Sequence, residues 1–293
     1  MDNYWVLKKT FPCKKNHEVV GVFLLNLKLQ NRSRETIVLY RQFLERFFED
    51  KIDSFSALTS ESIHQWLVKN KGHVKETTFI FYLNILSSFY DFCVKEEHMK
   101  QTPVKRRWFP RLPQPIPKYL EREDIAKTRQ YSEKMSLRNQ VMIEFMLTSG
   151  CRVGEMRTLD RKDVDIENRI AYVMGKGRKV RHVHFSERCA ILLERYIASL
   201  PEGFQALFVT TTGKRLNIRT IQWILNEIGK GAGLSASLHP HRLRHTFATE
   251  LLAKGAELSF ISEELGHSDL GTTRIYARLP KREIIAMYRK YMG

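Results

Sequence analysis

Cysteine is scarce. The 293 residues contain four, Cys13, Cys93, Cys151 and Cys189, far apart and never in a CxxC pair. That spacing excludes a disulfide framework and gives no zinc-ligand signature, so the four are read as reduced thiols, mostly buried. No apolar run is read as approaching the ~20 residues needed to span a bilayer. The opening segment MDNYWVLKKTFPCKKNHE lacks the apolar h-region of a secretory signal, and a cytoplasmic location is expected. Internal repeats and low-complexity tracts are absent. The carboxylate cluster with which many nucleases hold metal ions is absent too. What remains, at 43% hydrophobic and 11% aromatic, is the composition of a folded chain with a substantial core.

Acidic residues are in deficit. Lys and Arg total 49 against 32 Asp and Glu, a net charge of +17 and a pI near 9.8. Residues 1–112 hold 19 basic and 12 acidic side chains and residues 113–293 hold 30 and 20, so the two parts carry +7 and +10. An excess spread this way is not a basic tail. It suits a polyanion that touches both halves, and double-stranded DNA is the first candidate. The plainer reading is a set of lysines that only keep the chain dispersed.

The first hundred residues read as helices. Residues 17–29 carry an apolar stripe. Ser33 reads as an N-cap for a second helix with Ile37, Leu39, Tyr40, Phe43, Leu44, Phe47 and Phe48 at helical spacing, and Ser60 as the cap of a third with Ile63, Trp66 and Leu67. A long aromatic helix is expected over 75–98. These aromatics point inward together and are read as core. Residues 102–120, TPVKRRWFPRLPQPIPKYL, hold five prolines and five basic residues. Proline at that density breaks helix and sheet, which marks the domain boundary. Beyond it, helices are expected over 121–132, 136–150, 187–199, 217–230, 239–254, 258–265 and 281–290. RIAYVM (169–174) and VRHVHF (180–185) read as strands joined by GKGRK, and LFVT (207–210) as a possible third.

Four segments hold candidate chemistry: TSGCRVGEMRTLD, GKGRKVRHVHF, HPHRLRHTFATEL and LGHSDLGTTRIYARL. His241 and Arg244, at i and i+3, share one helix face. His241 and His245 have the i, i+4 spacing of metal ligands but lack an accompanying glutamate and a third ligand. A His/Arg pair suits an anionic oxygen better, because guanidinium offers a fork of donors and imidazole can move a proton. His245 reads as a packed or capping residue. Taken singly, Arg152 would pair with Glu155, Lys176 would be a solvated turn lysine, and Tyr276 would be core.

Together they are less ordinary. The order Arg152, Lys176, His241-x-x-Arg244, His267, Tyr276 resembles the tyrosine recombinase (phage integrase) family, and HRLRHTFAT and LGHSDLGTTRIYARL match its most specific segments. The likeness covers about 120–293, while 17–100 fits the family's helical domain by pattern. It implies a mainly α, two-domain fold: an all-α core-binding domain (1–101), the basic linker (102–120), and a mostly helical catalytic domain with a small antiparallel sheet (121–293), ending in an exchange helix (281–293) that docks on a neighbouring protomer. It also implies a site-specific recombinase of compact Xer-like or transposon-resolvase layout, acting in dimer resolution, cointegrate resolution or integration. Its partner would be DNA carrying specific sites, bound as a homotetramer on two of them, alone or with a paralogous recombinase or accessory protein. A type IB topoisomerase and a non-catalytic DNA-binding regulator are the alternatives.

The groups fit phosphodiester attack. Arg152 and Arg244 would clamp the scissile phosphate and stabilise its developing charge. Tyrosine has an ordinary pKa of ~10, so Tyr276 needs a base, for which His241 is the candidate; His267 would hold a phosphate oxygen. Lys176 would protonate the leaving 5′-oxygen. The product would be a 3′-phosphotyrosine that keeps the energy of the broken bond. Religation would then need no ATP, metal or other cofactor.

Overall fold

The computed structural model describes residues 3–113, 117–175, 179–201, 203–266 and 273. The chain divides into two units, Met1–Pro113 and Gln114–Gly293, and the division falls inside the proline-rich segment.

The first unit is four helices: α1 (Lys14–Leu29), α2 (Arg34–Phe48), α3 (Ser60–Lys71) and α4 (Glu76–Lys95). Helical spacing of apolar residues drives them together. Ile37, Leu44, Phe47 and Phe48 of α2 are sealed against Phe23, Leu24, Phe55, Leu86 and Phe89. Leu39, counted in that stripe from sequence, lies on the outer face and is 48% exposed. Ser33 caps α2, its Oγ accepting from the Thr36 amide. The expected Ser60 cap is corrected: Thr59 caps α3 through the Ser62 amide, and Ser60 donates to the Pro103 carbonyl instead. α4 also revises the reading of apolar runs, for an 18-residue window within its 20 residues has a mean hydropathy of 1.2, and the helix could by length and composition cross a bilayer. Here Leu83, Ile85, Leu86, Phe89, Tyr90 and Phe92 spend that apolarity on the core. Among the described residues of the linker the only regular element is a single 3-10 turn, Arg106–Trp108.

The second unit is built around α6 (Leu137–Ser149), which is buried nearly all round through Val141–Leu147 and packs against α5 (Arg122–Ser132), α8 (Glu187–Ser199) and α10 (Pro240–Ala253). α7 (Val153–Thr158), too short for periodicity to reveal, follows α6 directly; α9 (Ile218–Gly231) and α11 (Leu258–Leu265) complete the described helices. A three-stranded antiparallel sheet runs β1 (Val164–Asp165), β2 (Ile170–Met174), β3 (Val180–His184) in that order. Opposite pairs Ala171–Val183 and Val173–Arg181 face inward, and Tyr172 and Met174 face out, as the two-residue period requires. LFVT is not the third strand. Its apolar residues are buried, but the chain turns at 210–213, and only the isolated bridges Asp160–Ala206 and Val209–Arg215 form. The helix expected over 281–290 lies outside the described residues.

Gly150 ends α6 in the left-handed conformation, φ 58°, where a Cβ would stand 2.2 Å from the Phe247 ring of α10. Backbone conformation and close packing both demand glycine. Gly150→Ala is expected to destabilise the fold by about 2–4 kcal/mol. A denaturant midpoint unchanged from wild type would contradict this.

Candidate active site

The left-handed turn at Gly150 carries the chain off α6 so that Arg152 becomes the N-cap of α7. α10 begins nearby with His239 as its cap, the His239 ring accepting from the Arg242 amide, and Pro240 at its first position. Pro240, with no N–H to lose, is suited to start a helix. These starts frame a cleft of about 390 Å³ lined by Cys151, Arg152, Glu155, Gly175, His241 and Arg244.

Of the six residues singled out from sequence, the cleft gathers Arg152, His241 and Arg244. Lys176, His267 and Tyr276 lie outside the described residues. Two chain neighbours are described: Gly175, immediately before Lys176, lines the cleft, and Gly266, immediately before His267, accepts a hydrogen bond of 3.0 Å from Arg152 Nη2.

The two arginines are held differently. Arg244 is 5% exposed and donates to the carbonyls of Gly150 at 2.6 Å and Leu265 at 2.5 Å, tying the ends of α6 and α11 to α10. Arg152 is about one-third exposed, with Nη1 2.8 Å from Glu155 Oε1, and its backbone amide donates to Glu155 Oε2. The Glu155 pairing foreseen for Arg152 therefore forms, yet it leaves that arginine lining the cleft. Glu155 also receives Arg181 Nη2 of β3 at 2.9 Å. Burial pushes the Glu155 carboxyl up, but hydrogen bonds from the Arg152 amide and the Arg181 guanidinium outweigh it and hold it below the usual range. The carboxylate is thus ionised and committed to two cations.

The start of α10 carries two guanidiniums, Arg242 and Arg244, among three histidines. His241 is exposed there, on the side of the cleft. His245, one turn on, is held down to about 4, first by burial and then by His241, Arg244 and His239. Positive side chains at a helix N-terminus, whose dipole is also positive, favour an anion. A depressed histidine means that the unfolded chain takes up the proton first. The His245 contribution to stability is therefore expected to fall as pH drops from about 6.5 to about 4 and to level off below. His245→Gln should flatten that part of the stability curve, read from urea midpoints across the range; an unaltered slope would refute the assignment. Cys151 lies fully buried between these groups, its thiol pushed up to about 12 by burial, and stays protonated.

Sequence reading named Glu155 as the partner of Arg152 and missed that Arg181 shares it. Glu155 had a faint signal, three residues past Arg152 where a capping carboxylate sits. Arg181 had none beyond its alternation within a strand.

Residues 118–283 match the phage integrase family. The tyrosine recombinase XerC of Leptospira interrogans serogroup Icterohaemorrhagiae serovar copenhageni is 33% identical over 96% of this chain and 94% of its own length. XerC of Oceanobacillus iheyensis is 30% identical over 92% and 94%. Among solved structures, XerA recombinase superposes with a TM-score of 0.56 at 27% identity, covering 94% of this chain and 99% of that one. XerH bound to palindromic difH in a post-cleavage complex gives 0.75 over 98% and 90%, a likeness of fold at 20% identity. A cationic cleft assembled by this fold, on a chain that matches over most of its length, identifies the protein: it belongs to the phage integrase family and is a tyrosine-type site-specific recombinase.

Proposed function

We propose that the chain cleaves and rejoins DNA at specific sites through a covalent 3′-phosphotyrosine. The observation that carries the reading is the cleft itself: two guanidiniums and an exposed imidazole converge on one cavity, which Gly175 lines and whose Arg152 is hydrogen-bonded to the Gly266 carbonyl. Tyr276 Oη attacks the scissile phosphorus and its proton passes to His241. The bond from phosphorus to the 5′-oxygen breaks as Lys176 protonates that oxygen. Arg152, Arg244 and His267 hold the non-bridging oxygens, whose charge grows in the transition state. Reversal with a different 5′-hydroxyl completes strand exchange. No external energy source enters, because the tyrosyl ester conserves the bond energy.

The spread of positive charge, +7 before residue 113 and +10 after it, supports contact of both units with the duplex. The helical unit then serves as core-binding domain, residues 102–120 as a basic linker along the backbone, and 121–293 as the catalytic domain. The basic segment 281–293 would dock on a neighbour to give a tetramer on two sites, the layout the family resemblance implies. Affinity should fall steeply with salt.

The test begins with covalent capture of the protein's DNA adducts from its cells and sequencing of the attached sites. Two such sites, differently labelled, are then incubated with the pure protein. Recombinant strands of mixed label are the expected outcome. Relaxation of supercoils without exchange would instead indicate a topoisomerase, and binding without any adduct a regulator.

A further inference from the structure

Three consecutive carbonyls at the C-terminal end of α11 are each taken by a different arginine. Arg181 Nη1 donates to Glu264 O at 2.6 Å, Arg244 Nη2 to Leu265 O at 2.5 Å, and Arg152 Nη2 to Gly266 O at 3.0 Å. Carbonyls at a helix end have no intrahelical partner and sit at the negative pole of the dipole, so cations belong there. Two of these arginines line the cleft. The third, Arg181, does not; it stands on β3, the return strand of the hairpin whose other strand ends beside Lys176.

Arg181 has further ties. Its Nη2 grips Glu155 Oε2 at 2.9 Å, while the other oxygen of Glu155 receives Arg152 at 2.8 Å. Its side chain is 17% exposed, and its Nε is buried without a hydrogen-bond partner among the described residues. Gly266, at φ 61°, packs so tightly on it that a Cβ would lie 2.7 Å from Arg181 Cδ. An arginine that leaves one donor unsatisfied in the interior is kept in place by its other bonds, at a desolvation cost.

Charge explains what those bonds do. Two guanidiniums sharing one carboxylate leave one net positive charge beside the cleft. Arg152 and Glu155 alone would be neutral, and the carboxylate would compete with phosphate for Arg152. We propose that Arg181 is a positioning residue for strand cleavage. By compensating Glu155 and pinning the Glu264 carbonyl, it frees Arg152 to face the phosphate and fixes the turn at Gly266 from which His267 departs. The proposal rests on the cleavage reading above.

The test uses the full chain and nicked duplexes rebuilt from the captured sites, following covalent adduct formation and DNA affinity for R181Q, R181K, E155Q and R181Q/E155Q. R181Q is expected to form adduct about 100-fold more slowly, the scale of losing one preorganised electrostatic contact, with affinity within about threefold of wild type. R181K, which restores the charge, should recover part of the rate. The double variant should be less impaired than the product of the single effects, because the competing carboxylate is gone. Adduct formation by R181Q at the wild-type rate overturns the proposal alone. So do single effects that simply multiply, the mark of a merely structural residue. Should R181Q fail to fold, a rate for R181K equal to wild type overturns it, and a reduced rate at unchanged affinity supports it. No adduct even with the wild type overturns the cleavage reading and this proposal with it.

Discussion

Replacing Tyr276 with phenylalanine is expected to abolish covalent adduct formation while leaving DNA affinity within about twofold of wild type. The change removes one oxygen, the atom that bonds to phosphorus in the proposed mechanism. No neighbouring group can substitute for it without placing a different nucleophile in line with the leaving oxygen, so the rate should fall by at least ~10⁴-fold. Affinity stays because phosphate contacts by Lys and Arg supply most of the binding energy, and none is altered. The measurement is a gel-stable protein–DNA complex on a nicked duplex, in which the broken strand cannot religate. An adduct with Tyr276→Phe would mean that another residue is the nucleophile.

Arg244→Ala should be costly twice over. Its guanidinium bridges the carbonyls of Gly150 and Leu265 while 5% exposed. Truncation leaves two buried acceptors unpaired, an expected loss of about 2–4 kcal/mol in unfolding free energy. Removing a cation from the proposed phosphate clamp should slow cleavage by a further ~10²–10³-fold in protein that remains folded. Arg244→Lys separates the effects. An ammonium keeps the charge but has no planar fork to span two carbonyls, so it should recover more of the cleavage rate than of the stability. Cleavage by folded Arg244→Ala within about tenfold of wild type would remove Arg244 from the clamp.

Much of the fold was legible along the chain because its signals are local. Apolar residues at helical spacing gave α2 and α6 to within a residue or two, and two-residue alternation gave β2 and β3. Errors arose where a local signal had rivals. Ser60 and Thr59 are both good caps, and the choice turned on the Pro103 carbonyl, which only the folded chain brings to Ser60. LFVT has strand composition, but the turn at 210–213 ends its pairing before a ladder can grow. Leu39 fits an apolar stripe by type and faces outward because α2 needs only one side for its core.

The candidate site divides in the same way. Arg152, His241 and Arg244 were nominated by residue type and order, which are properties of the sequence. That Arg181 joins Arg152 on Glu155, and that three arginines from α7's cap, β3 and α10 cap consecutive carbonyls of α11, depends on contacts between residues 21 to 114 positions apart. No local pattern encodes such meetings, since they arise when α6, α10 and the sheet close on one core. By itself, then, the sequence determined the helical elements, the positive charge for a polyanion, the family and the candidate chemistry. The tertiary structure alone decided that Arg152 and Arg244 both line the cleft, that Arg244 also ties the scaffold, and that Arg181 shares the Glu155 carboxylate. Those outcomes depend on burial and distance, which exist only once the chain has folded.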